Sequence, residues 1–373
     1  MIVNFDNAAT TFPKPVMVKK AVVSAMEQLT SPGRGGHPLG MKTSEMVYSA
    51  RETAADFFGS QPENVVFTLN CTHALNMAIQ GIMKNGGHLI ISGMEHNSAA
   101  RPAAKLAKSG KIKLSIAEVY AEAEKTVESF RRLIRSDTKA IVCTMASNVT
   151  GQIMPVGEIG RLCQSRNIAF IVDAAQTSGI IDVNLSQGIN IICTAGHKSL
   201  YGITGSGLLI SDGKFPIEPI MQGGTGSGSR SLEQPTLLPE ALESGTVGTV
   251  GIMSIKAGIE FVRKIGVNKI FAHEDKICRR FVSELKNNPK VTIYRSGFAE
   301  YVPIVSFNIE GIHSEKAASA LAAEGFCLRA GYHCAALAHS SLGTENGTVR
   351  FSPSVFSREE DAVRLAHLIT SVF

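Results

Sequence analysis

Residues 168–180 read IAFIVDAAQTSGI and residues 190–202 read NIICTAGHKSLYG, and together they decide the fold. The apolar run 169–172 has the unbroken hydrophobic character of a strand buried on both faces, and Asp173 falls where that strand ends. A second apolar run, 189–193, leads through Thr194, Gly196 and His197 to Lys198, so an amine follows the next strand 25 positions after the acid. Ligands of open α/β sheets collect at the carboxyl ends of the strands, and the spacing therefore predicts an acid and an amine facing one cleft. Gly202, Gly205 and Gly207 lead into an apolar strand at 208–210 and not into a helix, which excludes the dinucleotide-binding fingerprint that a glycine cluster suggests.

Upstream of this stretch, apolar runs at 65–69, 89–92, 112–117 and 140–145 alternate with helical patterns that begin near His73, after Asn97, at 126–134 and after Pro155. That alternation predicts an α/β unit whose mostly parallel mixed sheet is flanked by helices. A helix begins at Pro15, and Met46, Val47, Ala50, Ala54 and Phe57 give residues 43–58 a helical period. Between these two helices, residues 32–37 are too rich in glycine and proline for a regular element. Residues 221–231 are small and polar, suiting a linker or a loop over the cleft. A long helix at 250–264 is followed by a smaller α+β pattern: a helix to 285, strands at 291 and 303–308, a helix at 314–323 and a last helix from Arg358. The expected organisation is a large unit over 16–255 and a small carboxyl-terminal one over 256–373.

Composition narrows the function classes. With 44% apolar and 18% charged residues and a net charge of +5 spread over 373 positions, the chain has no basic patch that argues for nucleic acid. No apolar run reaches the roughly 18 residues of a membrane span, and MIVNFDNAATTFPKP lacks the pattern of a secretory leader. Seven scattered cysteines without a C-x-x-C spacing fit neither a disulfide framework nor a zinc site, so a cytoplasmic location and no metal are expected.

A lysine amine beside a strand-end carboxylate suits pyridoxal phosphate, whose aldehyde condenses with an amine and whose pyridine nitrogen needs an anion to stay protonated. On the residues alone, Asp173 also suits a turn and Lys198 a solvated surface. VDAAQ followed by GHK resembles the class V aminotransferase group of fold-type I pyridoxal phosphate enzymes, and within it the cysteine desulfurases of the SufS and NifS kind. The resemblance covers nearly the whole chain: DNAATT at 6–11, Glu95-His96, SNVTG at 147–151, RAGYHC at 329–334 and Arg350 in TVRFSPS carry it.

This resemblance implies a role for each matching residue. Lys198 would hold the cofactor, Asp173 would face its ring nitrogen, Gln176 its phenolic oxygen, and His96 would stack on the ring and manage the substrate thiol proton. Cys71 and Thr72, at a helix start whose free N–H groups favour anions, would hold the phosphate with Thr194 and His197; Thr72 as a plain helix cap is the alternative. Asn148 would contact cofactor and substrate, and Arg350 with Arg329 would bind the substrate carboxylate. Cys334, beside His333 in a polar segment where a thiolate is favoured, would take sulfur from L-cysteine as a persulfide, leave alanine, and pass the sulfur to a protein acceptor. Thr246 would reach the phosphate of a neighbouring subunit, which makes a homodimer. The segment 1–15 would pack near the site, and the loop 32–37 near the dimer interface.

Several positions depart from the relatives. Ala195 stands where a serine is usual, Tyr332 where a histidine is common, His73 where many have an acid, and the tail AALAHSSLG after Cys334 differs. Other readings are a selenocysteine lyase acting on L-selenocysteine through the same cysteine, another class V aminotransferase with no need of Cys334, and a non-enzymatic sulfur-carrier scaffold.

Overall fold

The computed structural model describes residues 2–32, 36–226 and 230–373. The centres of the two glycine-rich loops, 33–35 and 227–229, lie outside the described residues. The chain opens with a two-residue strand, β1 (Val3–Asn4), and runs to α1 (Val16–Gln28), with Pro15 at its cap as expected. Helix α2 (Pro38–Phe58) starts five residues before position 43, because Pro38 occupies its first turn and the His37 ring accepts the Gly40 N–H at 3.2 Å. Gly59, in the left-handed region at φ 70°, ends it.

The alternation then follows the sequence closely. It runs β2 (Val65–Thr68), α3 (Cys71–Ile82), β3 (His88–Ser92), α4 (Asn97–Lys108), β4 (Lys113–Ala117), α5 (Ala123–Leu133), β5 (Thr138–Thr144), α6 (Val156–Arg166), β6 (Ala169–Asp173), β7 (Ile191–Ala195) and β8 (Gly207–Ser211). These strands form one seven-stranded sheet in the order β2-β8-β7-β6-β5-β3-β4, in which β8 runs opposite to the other six. Side chains alternate between its faces. Phe170, Val172 and Ile192 join the apolar layer that includes Phe58 of α2 and Ile159 of α6, whereas Ile171, Ile191 and Cys193 join the opposite one with Leu75 of α3 and Ala103 of α4. Helices on both faces explain why the strands read as unbroken apolar runs. Register brings Thr144, Asp173 and Cys193 level at one edge, so the loops after β3, β5, β6 and β7 open on the same side.

After β8 the chain reaches α7 (Thr249–Ile265), Gly266 at φ 96° and α8 (Val267–Leu285). Next come β9 (Val291–Ile293), β10 (Val305–Ile309), α9 (Ser314–Ala323), β11 (Phe326–Cys327), β12 (Arg329–Gly331), α10 (Ala336–Leu342), β13 (Thr348–Phe351) and α11 (Glu359–Val372). Strands β12, β13, β10 and β9 make an antiparallel sheet with its own core, in which the rings of Phe281 and Phe351 stack 4.2 Å apart. β1 pairs in parallel with β11. The unit boundary expected between 255 and 256 falls inside α7, whose Ile252, Ile255 and Ile259 pack in the core of the large sheet; the helix breaks only at Gly266.

Candidate functional site

At the edge where the large-sheet strands end, a cavity of about 210 Å³ lies between the two sheets. Lys198 enters it from a tight turn after β7, closed by Gly202 N–H to the Gly196 carbonyl at 2.8 Å and Tyr201 N–H to the Lys198 carbonyl at 2.8 Å. Gly196 has no room for a side chain, since a Cβ there would lie 2.3 Å from the Ser206 hydroxyl. The lysine is partly buried rather than a solvated surface residue. Burial lowers its pKa below the ordinary value, Arg350 and Arg329 add to that, and Asp173 and Cys71 oppose it.

Asp173 is 5% exposed, and its Oδ1 accepts from the Ala175 N–H at 2.9 Å and from the Cys71 thiol at 3.4 Å. Its Oδ2 has no partner among the described residues. Burial, then the aspartate, raises the Cys71 thiol well above its usual range, so it stays a donor. Glu95, fully buried behind this corner, accepts from the Ser92 hydroxyl at 2.5 Å and the Thr144 N–H at 2.6 Å, and burial pushes its pKa up to about 8.

His96 caps α4: its Nδ1 accepts the Ser98 N–H at 3.0 Å and lies 2.7 Å from the Ser98 hydroxyl. A backbone N–H can only donate, so Nδ1 carries no proton and a neutral ring holds its proton on Nε2. Burial pushes the His96 pKa down to about 4, which keeps the ring neutral. His96 therefore meets the cavity as a donor, and accepting a thiol proton there would require a change of tautomer. Since the Ser98 hydroxyl donates to His96, it accepts from Thr72, 2.7 Å away. Asn70, not Thr72, caps α3 by accepting the His73 N–H at 2.9 Å. The N–H groups of Cys71 and Thr72 have no partner among the described residues.

The opposite wall carries Cys334, exposed on the turn between β12 and α10. His333 and Cys334 both adopt left-handed backbone, φ 47° and 55°, a conformation that costs an L-residue roughly 1–2 kcal/mol. Hydrogen bonds hold it: Asn148 Nδ2 donates to the His333 carbonyl at 2.8 Å, and the Asn97 N–H to the Cys334 carbonyl at 2.7 Å. His333 Nε2 lies 3.0 Å from the Thr348 carbonyl, which can only accept, so Nε2 bears the proton. Burial, with Arg350 and His339 adding, drives the His333 pKa down to about 2. The neutral imidazole of His333 therefore supplies no positive charge to Cys334.

Arg350, 2% exposed, donates from Nη1 to the Asn148 carbonyl at 2.9 Å and from Nη2 to Asp6 at 3.1 Å, and its buried Nε has no partner among the described residues. Arg329 sits directly opposite it in the β12–β13 register, at the cavity rim. Gln176 Nε2 donates to the Ala8 carbonyl at 3.2 Å and lines the same space. His197, neutral because burial lowers its pKa to about 4, also lines it and leaves Nδ1 buried without a partner.

Of the residues expected at this chain's own cavity, one is not brought there. Thr194 turns its hydroxyl to the Ala174 carbonyl at 3.3 Å, and it is Ala195 that lines the cavity. Thr246 lines a second cavity of about 220 Å³ with His73, whose ring accepts the Leu69 N–H at 3.3 Å. Ser98 and Asn70 were not singled out in the sequence, and Asp6 was read only as the start of DNAATT; the position of Ser98, two residues after a histidine at a helix start, was the available signal.

The chain is similar to known proteins over nearly its whole length. A probable cysteine desulfurase of Pyrococcus abyssi (strain GE5 / Orsay) is 29% identical over 96% of this chain and 91% of its own length. A cysteine desulfurase of Yersinia pestis (strain Pestoides F) is 26% identical over 98% and 91%. The apo structure of a cysteine desulfurase from Thermococcus onnurineus NA1 matches with a TM-score of 0.93 at 29% identity, covering 100% of this chain and 94% of that one. The cysteine desulfurase CsdA of Escherichia coli, at 23% identity and a TM-score of 0.88, shares the fold. The family model for class-V aminotransferases matches residues 3–365, and the chain belongs to that family.

Proposed function

We propose that this protein is a pyridoxal phosphate-dependent cysteine desulfurase that converts L-cysteine to L-alanine and takes the sulfur onto Cys334. The observation that carries the reading is an exposed cysteine, on a turn fixed from both sides, at the cavity that also holds Lys198, Asp173 and Arg350. An ordinary aminotransferase has no use for that thiol.

The cavity fits the cofactor. The unpartnered Asp173 Oδ2 suits a pyridinium N–H, and the free N–H groups of Cys71 and Thr72, with His197 Nδ1, suit a phosphate where Ala195 offers no hydroxyl. When bound, pyridoxal phosphate supplies an aldehyde for the amine and an electron sink that lets the substrate Cα proton leave. Lys198, its pKa lowered by burial, holds the group and then moves that proton. Arg350 Nε, with Arg329 at the rim, binds the substrate carboxylate, and Asn148 Oδ1, buried without a partner, faces the same space. His96 Nε2–H donates to groups in the cavity. Cys334, as thiolate, attacks the substrate sulfur: an S–S bond forms, the Cβ–S bond breaks, and the carbon takes a proton to become alanine.

The persulfide on an exposed residue is open to a protein acceptor. We assign a homodimer as well, in which Thr246 completes the partner's phosphate site. Its support is that Thr246 lies outside the catalytic cavity, in a surface hollow rimmed by Leu69 and Met221, 63% and 46% exposed. Seven unpaired cysteines suit a reducing compartment such as the cytoplasm. Incubation of the protein carrying pyridoxal phosphate with L-cysteine and a reductant tests the reading. Equal amounts of alanine and sulfide are expected; turnover confined to L-selenocysteine, or dependent on a keto acid, overturns it.

A further inference from the structure

The amino-terminal segment joins the two walls of the cavity. β1 is paired to β11, Asp6 bridges Ser352 beside β13, and Asn7 N–H donates to the Ser352 carbonyl at 3.2 Å. A few residues on, Thr11 Oγ1 donates to the Lys198 carbonyl at 3.0 Å and Lys14 Nζ to the His197 carbonyl at 2.8 Å. One short stretch thus touches the strand edge behind the carboxylate-binding arginine and the turn that carries the lysine.

Within this stretch, Asp6 makes the only ion pair to Arg350 among the described residues, at 3.1 Å. The arginine side chain is 3% exposed and the aspartate 27%, so the pair lies at the inner end of a path to solvent. A guanidinium has five N–H donors in one plane. Asp6 takes one on Nη2 and the Asn148 carbonyl one on Nη1, which fixes the plane and leaves Nε–H buried without a partner among the described residues. A carboxylate needs two parallel N–H donors, so its binding depends on that plane being held. Burial lowers the Arg350 pKa and Asp6 opposes it.

We infer that Asp6 is a positioning residue for substrate binding: it holds the Arg350 guanidinium in the orientation that receives the carboxylate of an α-amino acid. The inference rests on the desulfurase reading only for the choice of ligand. Release of sulfide from L-cysteine by the unaltered protein tests that reading, whereas the test of Asp6 needs no sulfur chemistry.

The test compares dissociation constants of L-alanine and L-alaninamide for the protein carrying pyridoxal phosphate, measured by calorimetry or competition. The two ligands differ only at the carboxylate. In Asp6→Ala, L-alanine is expected to bind about tenfold more weakly, the order of one hydrogen bond to a charged group, with L-alaninamide unchanged. KM for L-cysteine rises in step, with kcat within about threefold of the unaltered protein. Asp6→Asn keeps an acceptor in place, folds even if the alanine variant does not, and loses about threefold for L-alanine alone. Equal losses for both ligands in either variant make Asp6 a merely structural tie and overturn the inference. So does L-alanine binding at the unaltered strength.

Discussion

The two walls of the cavity are built on different physical terms. The wall with Lys198, Asp173 and His96 rises from buried parallel strands; backbone N–H groups fix Asp173 and His96, and burial lowers the pKa of Lys198 and of His96. The wall with Cys334 is a left-handed turn at the surface, held at its two carbonyls, with its thiol exposed. A group that must bind one cofactor permanently gains from rigidity and exclusion of water. A sulfur that must arrive from a substrate and leave for a partner needs access. The difference matches a division of labour between holding and transferring.

Lys198→Ala breaks the holding wall most severely. Turnover of L-cysteine should fall by at least about 10⁴-fold, beyond the usual loss for one proton-transfer group, because attachment is lost too. The fold should survive, since the side chain is only partly buried. A thermal midpoint near that of the unaltered protein with activity retained would place the amine elsewhere.

Ser98→Ala acts on the same wall more gently. It removes the hydroxyl that fixes His96 Nδ1 and receives Thr72. The loss is about 1 kcal/mol of stability and a several-fold fall in kcat, with the pH profile unchanged, because the Ser98 N–H still faces Nδ1 and keeps the proton on Nε2. A shifted profile would show that the Ser98 hydroxyl, and not its N–H, sets the tautomer.

A third effect is on stability against pH. Glu95 has a folded pKa of about 8, raised by burial from the model-compound value of 4.5. The folded state therefore binds this proton more tightly, and the resulting stability is full below pH 4.5 and is lost as the pH rises through about 8. Glu95→Gln, the neutral isostere, should show a flatter decline between these limits, the difference being at most about 1.4 kcal/mol per pH unit. Parallel unfolding curves for the two proteins at pH 5, 6.5 and 8, taken as roughly spanning that window, would show that Glu95 is ionised in the fold.

The large sheet was legible because strands buried on both faces have no polar interruptions, as in 169–172, and because their ends coincide with Asp173 and Lys198. β11, β12 and α10 were not, since two, three and seven residues are too few to establish a period. Thr194 was misplaced although alternation along β7 carried the answer: Ile191, Cys193 and Ala195 share one face, so Thr194 points to the other. The charge state of His333 and the Asp6–Arg350 pair depend on burial and on contacts between residues far apart in the chain, and nothing local in the sequence encodes them.

The division between holding and transferring is tested most directly at Cys334. After brief exposure of the unaltered protein to ³⁵S-labelled L-cysteine, the label should sit on the peptide containing Cys334 and be released by a thiol reductant. In Cys334→Ala the protein should still bind pyridoxal phosphate and L-cysteine, with no sulfide released and no label retained. Sulfide released by Cys334→Ala at the rate of the unaltered protein, or label found on any other cysteine and none on Cys334, would contradict the account.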